Sequence, residues 1–173
     1  IIESPLGLKL ESQETVPSSG WKIEKVSDRK VRDEWKPLWG KRAVVEDHFN
    51  ELVIDLVNPA GQPERMQLVV RGYNDGFAFC YKIPDGKGPC VNVQSELTAY
   101  NFAGDYTAWF YNGENHNIGP EKLTETDGTR LPVMTVKAGD KHYMAIHEAC
   151  LETGAPLVLQ SKGGNRSFRS LPS

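Results

Sequence analysis

Along most of this chain, apolar and polar residues alternate with a period of two. Leu52, Ile54 and Leu56 interleave with Val53, Asp55 and Val57, and Met66, Leu68 and Val70 with Gln67 and Val69. Phe77, Phe79, Tyr81 and Ile83 share one side of the next segment, with Ala78, Cys80 and Lys82 opposite. Trp21 and Ile23 stand against Lys22 and Glu24 in the same way. Successive side chains of a strand point to opposite faces, so each run predicts a half-buried strand. Residues 133–136, 142–149 and 157–160 predict further strands. Turn chemistry separates the runs at Asn58-Pro-Ala-Gly61, Asn74-Asp-Gly76, Asp85-Gly86, Asp127-Gly128 and Gly139-Asp140. No window carries a sustained 3.6-residue period. Residues 30–35, ahead of Pro37, and residues 121–124 each suggest one helical turn at most. Short strands with almost no helix predict an all-β, antiparallel β-sandwich. With no internal repeat, low-complexity segment or internal boundary, residues 1–173 read as a single domain.

Composition changes this picture little. The 173 residues suffice for one sizeable core, and 39% hydrophobic with 25% charged residues is ordinary for a globular chain. A net charge of -3 with no basic cluster gives no footprint for nucleic acid. Lys41-Arg42 is only a pair, and Lys162, Arg166 and Arg169 are scattered. No apolar run approaches the roughly 20 residues of a membrane-spanning helix. The chain opens at Ile1 without a signal-type segment and enters a strand pattern almost at once, which reads as a piece of a longer chain. There are three cysteines and no CxxC. Cys80 and Cys90 flank a turn-rich loop and would suit a disulfide in an oxidising compartment; three buried free thiols is the plainer reading, Cys150 included.

Candidate chemistry gathers in Tyr143-Met-Ala-Ile-His-Glu-Ala-Cys150. On a strand, Met144, Ile146 and Glu148 share one face and Tyr143, Ala145 and His147 the other. Glu148 thus ends an apolar face. Carboxylate oxygen suits a hard cation such as calcium, but one carboxylate leaves most of the coordination shell to be filled from elsewhere. The residues alone fit equally a half-exposed strand-end glutamate bonded to backbone or to an arginine, and His147 fits a hydrogen-bonded strand histidine. Trp35 and Trp39 bracket Pro37 and could stack on sugar rings or pack against a neighbouring domain. Asp105, in Gly104-Asp-Tyr-Thr-Ala-Trp109, could bond a sugar hydroxyl, although organising a turn is the commoner role of Asp. His116 sits in a polar loop. Asp47, His48 and Glu51 lack a metal-binding spacing. No nucleophile-elbow or phosphate-loop motif is present.

Taken in order, several motifs resemble a known family. They are Val31-Arg-Asp-Glu-Trp-Lys-Pro-Leu-Trp-Gly40, His48-Phe-Asn-Glu-Leu52, Tyr73-Asn-Asp-Gly-Phe-Ala-Phe79, Glu96-Leu-Thr98 with Gly104-Asp-Tyr-Thr-Ala-Trp109, and Tyr143-Met-Ala-Ile-His-Glu-Ala149. Together they look like the N-terminal domain of glycoside hydrolase family 97, calcium-dependent α-glucosidases and α-galactosidases of Bacteroides-type bacteria. The resemblance runs over residues 5–160. It implies a galactose-mutarotase-like supersandwich, here incomplete at both ends, packed on a (β/α)8 catalytic barrel that carries the acid and base carboxylates. It implies that this piece alone is catalytically inactive, and that Glu148 is lent to an active-site calcium that the piece binds weakly or not at all. The substrate would be an α-linked oligosaccharide and the compartment periplasmic or extracellular. For sugar contacts, Asp105 and Trp109 are the candidates, without roles carried over from the family.

Other classes remain beside this one. An independent carbohydrate-binding module would use Trp35, Trp39 and Trp109. A purely structural domain would brace a neighbour through an apolar patch. A lone mutarotase would need an acid/base pair, for which His48, His147 and Glu148 are the only evident candidates.

Overall fold

The computed structural model describes residues 1–10, 20–59, 64–83, 93–111, 113, 117–149, 151 and 156–172. Among them there is no helix, and every paired strand is antiparallel, as the alternation predicts. The strands are β1 (Leu8–Leu10), β2 (Lys22–Trp35), β3 (Val45–Val57), β4 (Arg65–Gly72), β5 (Phe77–Lys82), β6 (Val93–Glu96), β7 (Ala99–Asn101), β8 (Thr107–Tyr111), β9 (Asn117–Lys122), β10 (Asp127–Lys137), β11 (Tyr143–Ile146), β12 (Leu157–Lys162) and β13 (Ser167–Pro172). The chain divides into two compact units, one of Ile1–Glu11 with Asn92–Ser173 and one of Ser12–Val91.

The Ser12–Val91 unit is a meander, β2-β3-β4-β5. Its register joins the apolar faces read from sequence. Leu52 pairs with Val70, Ile54 with Leu68 and Leu56 with Met66; Val70 and Leu68 pair in turn with Phe79 and Tyr81. Aligned apolar residues stabilise neighbouring strands through cross-strand contact. The Asn74-Asp-Gly76 turn closes the β4–β5 hairpin, with Tyr73 N–H donating to the Gly76 carbonyl at 2.8 Å. Residues 30–35 do not form the expected helical turn. They continue β2, paired from Lys30 with Asn50 to Trp35 with Val45. Backbone bonding to β3 decides the matter, and Pro37 lies beyond the paired stretch, where its missing N–H costs nothing. Cys80 is exposed rather than buried, because it lies on the face opposite Phe79 and Tyr81. Cys90, Cys150, Asp85-Gly86 and the end of the Asn58–Gly61 turn fall outside the described residues.

The other unit holds a seven-stranded sheet of order β7-β13-β12-β10-β8-β9, with β11 also on β10, and a two-stranded sheet, β1-β6. Its core takes Ala108 and Phe110 from β8, Met134 and Val136 from β10, Ile146 from β11, Leu157 and Leu159 from β12 and Phe168 from β13, together with Phe102 and Leu123. Phe168 lies edge-on to Phe102 at 6.2 Å and tilted over Phe110 at 5.6 Å. Each such side chain contributes about 1.5–3 kcal/mol by leaving water. The strand read at 133–136 is longer, and Asp127-Gly128 begins it instead of forming the preceding turn. That turn lies at residues 122–126, where the Lys122 carbonyl accepts from Glu125 N–H at 3.0 Å and Thr126 N–H at 3.2 Å. The single helical turn expected at 121–124 is thus a hydrogen-bonded turn set slightly later. Strand β11 covers only the middle of the expected 142–149.

Candidate functional site

Two of the sequence-predicted site residues, Glu148 and Trp109, lie in the unit that holds the seven-stranded sheet, on either side of one stretch of β10. Strand β10 is flanked along one edge by β8. Along the other edge it meets β12 at residues 127–130 and β11 at residues 134–137. Residues 131–133 therefore face β8 on one side and, on the other, the gap between β11 and β12.

Glu148 lies at that gap, two residues beyond the end of β11. Its Oε2 accepts the backbone N–H of Leu157, the first residue of β12, at 2.9 Å. The alternation expected of β11 holds: Ile146 is buried, while Tyr143 and Ala145 are exposed. Glu148 is half-buried and His147 exposed. The Glu148 Oε1 atom has no partner among the described residues. No group of three or more His, Cys, Asp or Glu side chains able to hold a metal occurs among those residues. Glu148 is thus one positioned hard donor. A complete calcium shell needs about six to eight oxygens, so these residues could supply a fraction of one.

Trp109 occupies the other side. Strand β9 carries an extra residue between the Ala108–Glu121 and Phe110–Ile118 pairs, at Gly119-Pro120. Strand β10 carries two extra residues between its Leu131–Tyr111 and Thr135–Trp109 pairs. Trp109 therefore sits between two bulges, which re-aim side chains and open a sheet locally. A groove of about 510 Å³ lies here, lined by Trp109, Phe110, Tyr111, Asn117, Pro132, Val133 and Thr135. The neighbours of Trp109 along β8, Ala108 and Phe110, are buried in the core, so Trp109 points to the opposite face. Gly119 permits the close approach: at φ +117°, a Cβ there would stand 2.6 Å from the Ala108 carbonyl oxygen and 3.0 Å from Trp109 Cα.

Asp105 does not line this groove. Its Oδ1 accepts the Thr124 backbone N–H at 3.1 Å and its Oδ2 the Thr124 hydroxyl at 2.9 Å. The Thr124 N–H, foremost, holds the Asp105 carboxyl below the ordinary carboxylate range. It ties the start of β8 to the turn after β9, so its turn role joins two segments instead of serving its own backbone. Trp35 and Trp39 are both exposed. His48 is exposed, with Nδ1 3.8 Å from Glu46. His116 falls outside the described residues.

Sequence spacing gave no hint of the environment of Glu51. The residue is 5% exposed, with Oε1 bonded to Arg29 Nε at 2.6 Å and Oε2 to Arg71 Nε at 2.8 Å. Arg71 also stacks over the Phe49 ring at 4.3 Å. The three charges lie in one cross-strand row, Arg29–Glu51–Arg71, visible only once the register is known. The Arg29 hydrogen bond first, and then that of Arg71, hold the Glu51 carboxyl below its ordinary range against the opposing effect of burial.

Comparison with known proteins gives the chain a family. The family described as "Glycosyl-hydrolase 97 N-terminal" matches residues 1–171. A probable retaining alpha-galactosidase of Streptomyces bingchenggensis is 29% identical over 168 residues, 87% of this chain and 25% of that protein. A retaining alpha-galactosidase of Bacteroides thetaiotaomicron is 26% identical over 181 residues, 94% of this chain and 26% of that protein. A glycoside hydrolase family 97 enzyme from Pseudoalteromonas sp. strain K8, solved in complex with acarbose, superposes with a TM-score of 0.83 at 25% identity, over 96% of this chain and 26% of that one. The chain therefore spans about a quarter of the length of the curated relatives it matches.

Proposed function

The chain belongs to the glycosyl-hydrolase 97 N-terminal family, and from that premise we propose that it is the noncatalytic β-domain of a longer bacterial α-glycosidase. In this reading it packs on a (β/α)8 catalytic barrel and lends Glu148 to a calcium ion at the active site. The relatives' names favour an α-galactoside as the substrate class; α-glucosides are the other class that the resemblance in the sequence implies. The acid and base of hydrolysis would come from outside these residues. The domain would work in the periplasm or outside the cell.

The observation that carries this reading is the state of Glu148. A single half-buried carboxylate with one oxygen fixed by Leu157 N–H and the other unpartnered among the described residues suits a shared cation site. Bound calcium would supply positive charge to offset the carboxylates around it. The Leu157 N–H would hold the Glu148 carboxylate in place beforehand, so that less side-chain freedom is lost when the ion arrives. Trp109 would present an apolar ring face to the C–H face of a sugar, with Asn117 and Thr135 supplying polar contacts.

The test uses the full open reading frame that encodes these residues. Hydrolysis of nitrophenyl α-galactoside and α-glucoside is followed as calcium is returned after chelation. Glu148→Gln should raise the calcium concentration for half-activity at least about tenfold, in line with loss of one charged ligand. An unchanged calcium profile removes Glu148 from the site. Failure to cleave any α-glycoside removes the enzyme reading.

A further inference from the structure

Among the described residues, the most exposed large apolar side chains lie at the tip of the β2–β3 hairpin. Leu38 is 101% exposed and Trp39 87%, with Trp35 more than half exposed beside them. The hairpin outruns its sheet. Strand β4 pairs with β3 only from Val57 to Asn50, whereas β2 and β3 stay paired on to Trp35 and Val45. The last five pairs, from Val31–Phe49 to Trp35–Val45, have no third strand beside them among the described residues. At about 3.3 Å per residue they project roughly 13 Å, before the tip itself is counted.

A two-stranded ribbon in water is marginal, and one ending in solvent-facing tryptophan and leucine is also an aggregation hazard. Such an arm is accounted for by a surface that receives it. Residues 36–42 carry Lys36, Lys41 and Arg42 and no acid, so the receiving surface combines an apolar pocket with an acidic rim. About three-quarters of the length of each matched relative lies outside the part this chain covers. A tethered partner is present at high effective concentration, so an arm of this size can dock without a large interface. We infer that the β2–β3 arm docks, through Leu38 and Trp39, into the part of the same polypeptide that lies outside residues 1–173. This rests on the chain being one domain of a longer enzyme. It does not depend on calcium or on Glu148.

The experiment places a photoreactive benzoylphenylalanine at position 39 of the intact protein, and separately at position 38, and identifies the cross-linked peptides by mass. Both positions are solvent-facing, so the substitutions leave the domain's own packing intact. The expected result is a link within one polypeptide to a peptide outside residues 1–173, beside acidic residues. A link between two copies, a link to a peptide inside residues 1–173, or no link from either position overturns the inference. In parallel, the double substitution Leu38→Ser with Trp39→Ala should lower the melting temperature of the intact protein by about 3 °C or more. An unchanged melting temperature overturns the inference as well. Both readouts are independent of hydrolysis, so loss of the Glu148–calcium reading would leave them standing.

Discussion

The carboxylate of Glu148 accepts the backbone N–H of Leu157 at 2.9 Å, joining the exit of β11 to the entry of β12. One side chain thereby bridges two positions nine apart in the sequence. Gln at this position keeps an acceptor oxygen, whereas Ala leaves the Leu157 N–H unpaired. Glu148→Ala should therefore lose about 1 kcal/mol of stability, and Glu148→Gln close to none. Urea denaturation of the two variants measures this. Equal losses would show that the hydrogen bond does not hold these two positions together.

Glu51 makes a different kind of contact, a buried carboxylate between two guanidinium groups. Removing its charge strands Arg29 and Arg71 beside one another. Both arginines keep partial access to water, which limits the penalty. Glu51→Gln should cost about 1–3 kcal/mol at neutral pH. The pH dependence follows from the sign of the shift. A carboxyl held below its ordinary value of 4.5 contributes stability that is fully present above that value and lost as pH falls through the lowered one. The gap between wild type and Glu51→Gln should be flat from pH 7 to about pH 5 and shrink below it. A gap that persists undiminished into strong acid would falsify the charge argument.

What could be read from the sequence was whatever depends on local alternation. The apolar faces of β3, β4 and β5 follow from Leu52, Met66 and Phe79 and their neighbours two residues away, because strand geometry alone sets that period. The Arg29–Glu51–Arg71 row was hidden, since its members are about twenty residues apart and meet only through the register. The bulges around Trp109 were hidden for the same reason: an extra residue in β9 or β10 leaves the pattern of β8 untouched. Residues 30–35 misled because charged, proline-proximal sequence carries no period, and pairing with β3 overrode the local signal. At Glu148 the sequence supplied the residue and its apolar face, but the Leu157 partner lay beyond a loop.

Asp105 offers a sharper structural prediction than a sugar-binding one. Both of its oxygens are taken by Thr124, so Asp105→Ala should release the turn at residues 122–126. Hydrogen exchange at the Thr124 amide should quicken by an order of magnitude or more, while amides of β12 stay unchanged. Because Thr124 holds the Asp105 carboxyl below 3.8, this tie persists across the neutral range and is lost only as pH falls below that value. Unchanged exchange at Thr124 in the variant would remove Asp105 from the turn.

The Trp109 groove makes a prediction about ligands. If a sugar ring stacks there, α-galactosides or α-glucosides should quench tryptophan fluorescence saturably in the millimolar range, and Trp109→Ala should abolish that component. Trp39→Ala should leave it intact, since Trp39 stands at the tip of the β2–β3 arm. No saturable change at tens of millimolar sugar would assign the groove to packing alone.

Gly119 is the point where groove geometry and backbone geometry meet. Its φ of +117° is one that residues with a Cβ rarely adopt, and the space a Cβ would fill is already held by the Ala108 carbonyl. Relief by a side-chain rotation is unavailable, because the obstructing atom belongs to the backbone of β8. Gly119→Ala should therefore push β9 away from β8 and cost about 2 kcal/mol or more, of which strained backbone accounts for roughly 1–2. Gly113→Ala is the control. It also has positive φ, at +72°, but no described residue lies within 4 Å of the added Cβ. A loss at residue 119 no larger than at residue 113 would mean that the contact with Ala108 relaxes without cost. A larger loss, with Trp109 fluorescence shifted toward that of a solvated indole, would establish Gly119 as the residue that lets β9 close one wall of the groove.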